Sequence, residues 1–143
     1  MSQRAINEII IHCTATQANR TVTIDEINGW HIRRGFCYIG YHYVIHQSGS
    51  IERGRDEREI GAHCAGHNTF SIGIAYVGGI DSVTGKPSDT RTEKQRRAME
   101  RLIVDICSRH DIQSIVGHNF YAPKACPCFN AMQEYFHLLP SMA

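Results

Sequence analysis

Three successive isoleucines, Ile9-Ile10-Ile11, limit what this chain can fold into more than any other feature. Their β-branched side chains favour extended backbone, so the stretch from Ile6 to His12 reads as a short buried strand. A second strand is expected from Phe70 to Val77, with Ile72, Ile74 and Tyr76 on one face and Ser71, Gly73 and Ala75 on the other. A face that small suits a helix packed close against the sheet. The alternation in "GYHYVIHQSGSIER" predicts a β-hairpin turning at Ser48-Gly49, and "QSIVG" predicts a brief last strand.

Helix signals fall between these strands. Thr23 and Glu26 form a capping box that opens a helix carrying Ile24, Ile27, Trp30 and His31 along one side, with Gly35 as its stop. Thr92 and Gln95 form a second box, followed by an apolar stripe at Met99, Leu102, Ile103 and Ile106. Residues 78–89 are a turn-rich loop, and Ala131 to Leu138 predict a closing helix. Alternating strands and helices without internal repeats imply one α/β domain over residues 1–143, a central mixed β-sheet flanked by helices. At 143 residues, a core sufficient for folding without staples is available.

Composition then excludes several classes. Fifteen Lys and Arg against fourteen Asp and Glu leave a formal charge of +1, so neither nucleic acid nor an anionic membrane is an expected partner. No run of about 18 apolar residues is present, so no membrane span is expected. The apolar run near the N-terminus is too short for a signal-peptide core, which implies synthesis in the cytoplasm. Six cysteines stand at 13, 37, 64, 107, 126 and 128. Without an export signal, most read as reduced and buried.

The chemistry-bearing residues are histidines and cysteines. Of nine histidines, His31 and His110 suit helix C-termini, where partial protonation matches the dipole, and His137 suits the surface. His42 and His46 can simply pack on the hairpin. His12 and His118 differ, because each ends a predicted strand; if those strands are neighbours, both imidazoles emerge at one sheet edge. Cys126 lies in the loop just beyond. Two histidines and one cysteine make a three-ligand zinc set with an open fourth position, the form of a catalytic site. Cys13 has the wrong strand parity to substitute. Cys128 shares that problem if its loop is extended, and otherwise remains an alternative ligand.

The segments "IIIHCTAT", "GYHYVI", "GRDEREIGAHCAGHNTFSIGI", "VGGID" and "GHNFYAPKACPCF" resemble, in the same order, those of the amidase_2 family of N-acetylmuramoyl-L-alanine amidases, with peptidoglycan recognition proteins more distant. The resemblance runs from about Ile6 to the closing helix. It implies a Zn2+ enzyme cutting the amide between N-acetylmuramic acid and L-alanine of bacterial peptidoglycan, with His12, His118 and Cys126 as metal ligands. Tyr41 and Lys124 take the family's catalytic positions; alone they would read as a packed strand tyrosine and a solvated loop lysine. His63 and, more weakly, Asn68 correspond to substrate-groove positions. The implied type is a phage or prophage endolysin, monomeric, cytoplasmic until released to the wall. Non-catalytic muropeptide binding and inhibition of a phage RNA polymerase are the alternatives on the same fold. One close member has serine where this chain has Cys128, which places a second thiol near the proposed ligand.

Overall fold

A computed structural model describes residues 4–140, so the first three and last three residues of the expected 1–143 domain lie outside the described residues. In chain order the elements are β1 (Glu8–Cys13), β2 (Thr16–Gln17), α1 (Ile24–Arg33), β3 (Tyr43–Ile45), β4 (Ile51–Arg53), β5 (Ser71–Tyr76) and β6 (Gly79–Ile80). Then come α2 (Glu93–Arg109), β7 (Ser114–Gly117), α3 (His118–Tyr121) and α4 (Ala131–Tyr135), which runs into a 3-10 turn at Phe136–Leu138. The main sheet has the order β4-β3-β5-β1-β7. Its four pairings are mixed: β3, β5, β1 and β7 run parallel, and β4 returns antiparallel on β3 through the predicted hairpin. Strands β2 and β6 pair separately as a two-residue parallel ladder.

Both capping boxes form: the Thr23 and Thr92 side chains each accept from the amide three residues on, and Glu26 and Gln95 reach back. One face of the sheet is closed by α2. Met99, Leu102, Ile103 and Ile106 pack there against Ile9, Ile11, Ile72, Ile74 and Tyr76, all buried. Ile9 to Ile11 are inaccessible on both faces, which is why an uninterrupted isoleucine run occupies a central parallel strand.

The opposite face departs from expectation. The small side chains of Ser71, Gly73 and Ala75 predict a close-packed helix, yet only Ala75 meets the α1 layer, in a cluster with Ile27, Val44 and Val77. Ser71 and Gly73 instead lie beneath imidazoles carried by a loop. A Cβ on Gly73 would fall 2.6 Å from the His63 ring, so the small residues make room for histidines.

Candidate metal centre and its cleft

Strands β1 and β7 are neighbours, in the register Ile11 opposite Gly117. His12 and the first residue of α3, His118, therefore leave adjacent parallel strands at the same end. Their ring centroids are 4.6 Å apart. A single helical turn, unmarked in the sequence, begins at His118 directly after Gly117. The following loop folds back, held by the Tyr76 hydroxyl donating to the Pro127 carbonyl at 2.6 Å. This return brings Cys126 to β1, where its Sγ accepts from the Cys13 amide at 3.1 Å. One ligand atom from each of His12, His118 and Cys126 then lies within 4.8 Å of the others.

Protonation favours the same grouping. His12 is held well below the ordinary histidine value by burial and by neighbouring His63 and His118. Burial and Lys124 lower His118 as well. The neighbouring Cys13 thiol keeps its own proton and, together with the Cys13 amide that donates to Cys126 Sγ, lowers the Cys126 thiol despite burial. Two neutral imidazoles and a thiol inclined to ionise are the states that a metal ligand set requires. Cys128 is turned elsewhere: its Sγ lies 3.5 Å from the Gly79 carbonyl, and burial pushes its thiol up to about 12.

Around these groups is a cleft of about 590 Å³. Tyr41 stands on one wall, its ring 5.3 Å from His12 and 4.9 Å from His31. It is only 9% exposed, and burial raises its phenol, so it stays a proton donor. Among the described residues its hydroxyl has no hydrogen-bond partner. Gly40 sets this approach, because a Cβ there would meet the Ala62 carbonyl at 1.9 Å. Lys124 is exposed at the cleft on the His118 side and forms no ion pair among the described residues.

His63 and Asn68 also border the cleft, but most of their polar capacity is used internally. His63 is 8% exposed, with Nδ1 2.8 Å from His12 Nε2 and Nε2 3.2 Å from Ser71 Oγ. Asn68 Oδ1 accepts from the amides of His63 and Cys64 at 3.0 and 2.9 Å. It thereby braces the loop that carries His63.

Residues 2–129 match the family described as Amidase_2, N-acetylmuramoyl-L-alanine amidase. The chain belongs to that family. This amidase is 37% identical over 128 residues to the endolysin of Escherichia phage T7, covering 90% of this chain and 84% of that one. More distantly, it is 31% identical over 134 residues to peptidoglycan-recognition protein SC2 of Drosophila melanogaster, covering 87% and 70%. Among solved structures, the amidase LysC from Clostridium intestinale URNW superposes with a TM-score of 0.79 at 28% identity, covering 92% and 82%. The enzyme is an N-acetylmuramoyl-L-alanine amidase, a hydrolase of the cell wall.

Several cleft residues of the amidase carry no sequence signal of their own. The helix-end position of His31 predicts a partly protonated imidazole. It is instead buried, accepts the Gly40 amide on Nδ1 at 2.8 Å, and is pushed down to about 4 by burial and by Arg34 and Arg55. Arg34 and Phe36 line the same wall. The one available hint was the place of His31 in the α1 apolar stripe, which predicts burial more directly than it predicts charge. The cysteine expectation also needs correction: all six are free thiols, but only Cys13 and Cys64 are buried, and Cys37 is exposed.

Proposed function

We propose that the amidase is zinc-dependent, with His12, His118 and Cys126 as ligands, and that residues 1–143 make up a single catalytic domain. The observation that carries this reading is the convergence of three donors to within 4.8 Å, His12 lying more than a hundred residues from the other two. The donor set fits: two imidazoles and a thiolate leave a tetrahedral ion one exchangeable position. When bound, zinc supplies Lewis-acid polarisation and lowers the pKa of water to about 7.

The substrate of this reading is the amide joining the lactyl group of N-acetylmuramic acid to L-alanine in peptidoglycan. Hydrolysis places negative charge on the former carbonyl oxygen. The Lys124 ammonium, without a carboxylate partner among the described residues, stabilises that charge from the His118 side. Tyr41 faces His12 with an uncommitted O–H and donates to the reacting oxygen or the attacking water. The amide N–H groups of Asn68 are unpaired among the described residues and offer donors to the stem peptide. Such an enzyme acts as an endolysin made in the cytoplasm and released to the wall; among the described residues, no helix is long and apolar enough to cross a membrane. A muropeptide receptor without hydrolysis would have no use for a cysteine that completes a three-donor set with His12 and His118.

The test is mass spectrometry of digested peptidoglycan together with metal analysis. New L-alanine amino termini on released stem peptides are expected. His12→Ala and Cys126→Ala should each lose both bound zinc and turnover. New reducing sugar ends, or full activity in zinc-free protein, would overturn the reading.

A further inference from the structure

His63 has the burial and bonding of a residue that acts on another side chain, not on substrate. Both of its ring nitrogens have protein partners, Nδ1 toward His12 Nε2 at 2.8 Å and Nε2 toward Ser71 Oγ at 3.2 Å. Ser71 Oγ in turn lies 2.8 Å from the His67 carbonyl, to which only a hydroxyl can donate. That last bond fixes the direction of the series. The Ser71 proton points at the carbonyl, so Ser71 Oγ accepts from His63 Nε2–H. A neutral His63 with its proton on Nε2 has a bare Nδ1, which must accept from His12 Nε2–H. The lone pair of His12 is thereby placed on Nδ1.

We propose that His63 is a positioning residue that fixes the tautomer and ring orientation of His12, so that His12 Nδ1 is the atom presented to the metal. The inference rests on the zinc reading above and adds a role for a residue outside the ligand set. A ligating histidine commonly donates its second N–H to an acceptor that orients the ring and raises its basicity; losing that acceptor typically costs 10- to 100-fold in metal affinity. Here the acceptor is a second imidazole instead of a carboxylate or carbonyl. The surroundings are shaped for it. Gly73 leaves the space that the ring fills, and the backbone of His63 is held by Asn68 Oδ1. The chain from the metal side to the sheet thus runs through His12, His63 and Ser71 to a main-chain oxygen. It also accounts for Ser71, whose side chain is inaccessible at the part of the β5 face that loop imidazoles, not α1, cover.

The decisive measurement is Zn2+ affinity of the full-length protein, by competition with a chromophoric chelator, alongside the visible spectrum of the Co2+-substituted protein. His63→Leu keeps bulk but removes the acceptor, and affinity should fall about 10- to 100-fold with a changed Co2+ spectrum. His63→Asn places an amide oxygen near the position of Nδ1 and should recover most of the affinity. Ser71→Ala, which perturbs only the far end, should cost a few-fold, and it serves as the readout if His63→Leu does not fold. Wild-type affinity and an unaltered Co2+ spectrum in both His63→Leu and Ser71→Ala would overturn the proposal. So would a change confined to KM for peptidoglycan, which marks a substrate contact. Failure of the wild-type protein to bind Zn2+ would instead sink the underlying metal reading.

Discussion

Lys124 and Tyr41 reach the cleft by opposite physical routes. Lys124 is exposed on a loop and owes its place to the return of the chain after α3, whereas Tyr41 is nearly buried between His12 and His31. Neither belongs to the proposed ligand group, so removing either functional group should separate catalysis from metal binding. Lys124→Ala and Tyr41→Phe are each expected to retain stoichiometric zinc while losing about 100-fold in kcat, the scale associated with one lost oxyanion donor. Turnover assays paired with metal analysis check this, and full activity of Lys124→Ala would remove it from the mechanism. The two neighbouring thiols make a sharper pair. Cys128 faces the Gly79 carbonyl, a contact that a hydroxyl can also make, so Cys128→Ser should keep zinc and activity. Cys126→Ser should lose both, since serine is a poor soft-metal ligand at neutral pH. Zinc content measured on the two variants distinguishes the ligand from its neighbour.

Among the elements, α2 is attached to the sheet by its own cap. Gln95 completes the capping box with Thr92, and its amide Nε2 also donates to the carbonyls of Ile45 and Val77 at 3.1 and 3.0 Å. Those carbonyls lie at the ends of β3 and just beyond β5, so one side chain ties the helix start to two strands. It is inaccessible to solvent. Thr23 and Glu26 do the same capping at the exposed start of α1 without the strand contacts. Gln95→Leu should therefore cost about 2–3 kcal/mol, from buried carbonyls that lose a donor. Thr23→Ala should cost about 1 kcal/mol, the usual value of an exposed cap. Urea unfolding of both variants checks the order as well as the sizes.

At the scale of the whole molecule, Glu57 joins segments that are remote in sequence. Its carboxylate accepts from Arg109 at 2.8 Å, from His110 at 2.8 Å and from the Tyr43 hydroxyl, linking the loop after β4, the end of α2 and strand β3. Burial pushes this carboxyl up, but the hydrogen bonds from Arg109, Tyr43 and His110 outweigh it and hold the group at about 2. A carboxyl whose folded value lies below its unfolded value contributes stability above the unfolded value, near 4.5, and loses that contribution as pH falls toward 2. The urea midpoint should accordingly drop between about pH 4.5 and 2, and Glu57→Gln should flatten that part of the profile. An unchanged pH dependence in Glu57→Gln would show that the acid sensitivity arises elsewhere.

Much of this amidase is written locally in its chain. The isoleucine run, the two Thr-initiated capping boxes and the Ser48-Gly49 hairpin specify elements through backbone preference and short-range hydrogen bonds, and these operate within a few residues. Strand ends also flagged His12 and His118, because a side chain leaving a sheet edge needs only the strand to be recognised. What lies between elements was not legible. Whether β1 and β7 adjoin, and so whether the two histidines meet, is decided by sheet order. The same holds for the small face of β5, which in sequence suggests a helix and in the fold receives imidazoles from residues 42 and 63. Arg91 sits in an unremarkable stretch, yet its guanidinium is fully buried between Asp89 and Glu134, with the Phe129 ring 3.4 Å away. The sequence by itself determined most of the strands and helices and singled out the candidate ligands; the tertiary structure decided which of them touch. Contact between distant residues is set by packing volume and by the satisfaction of buried polar groups, and neither quantity exists until the pieces are assembled.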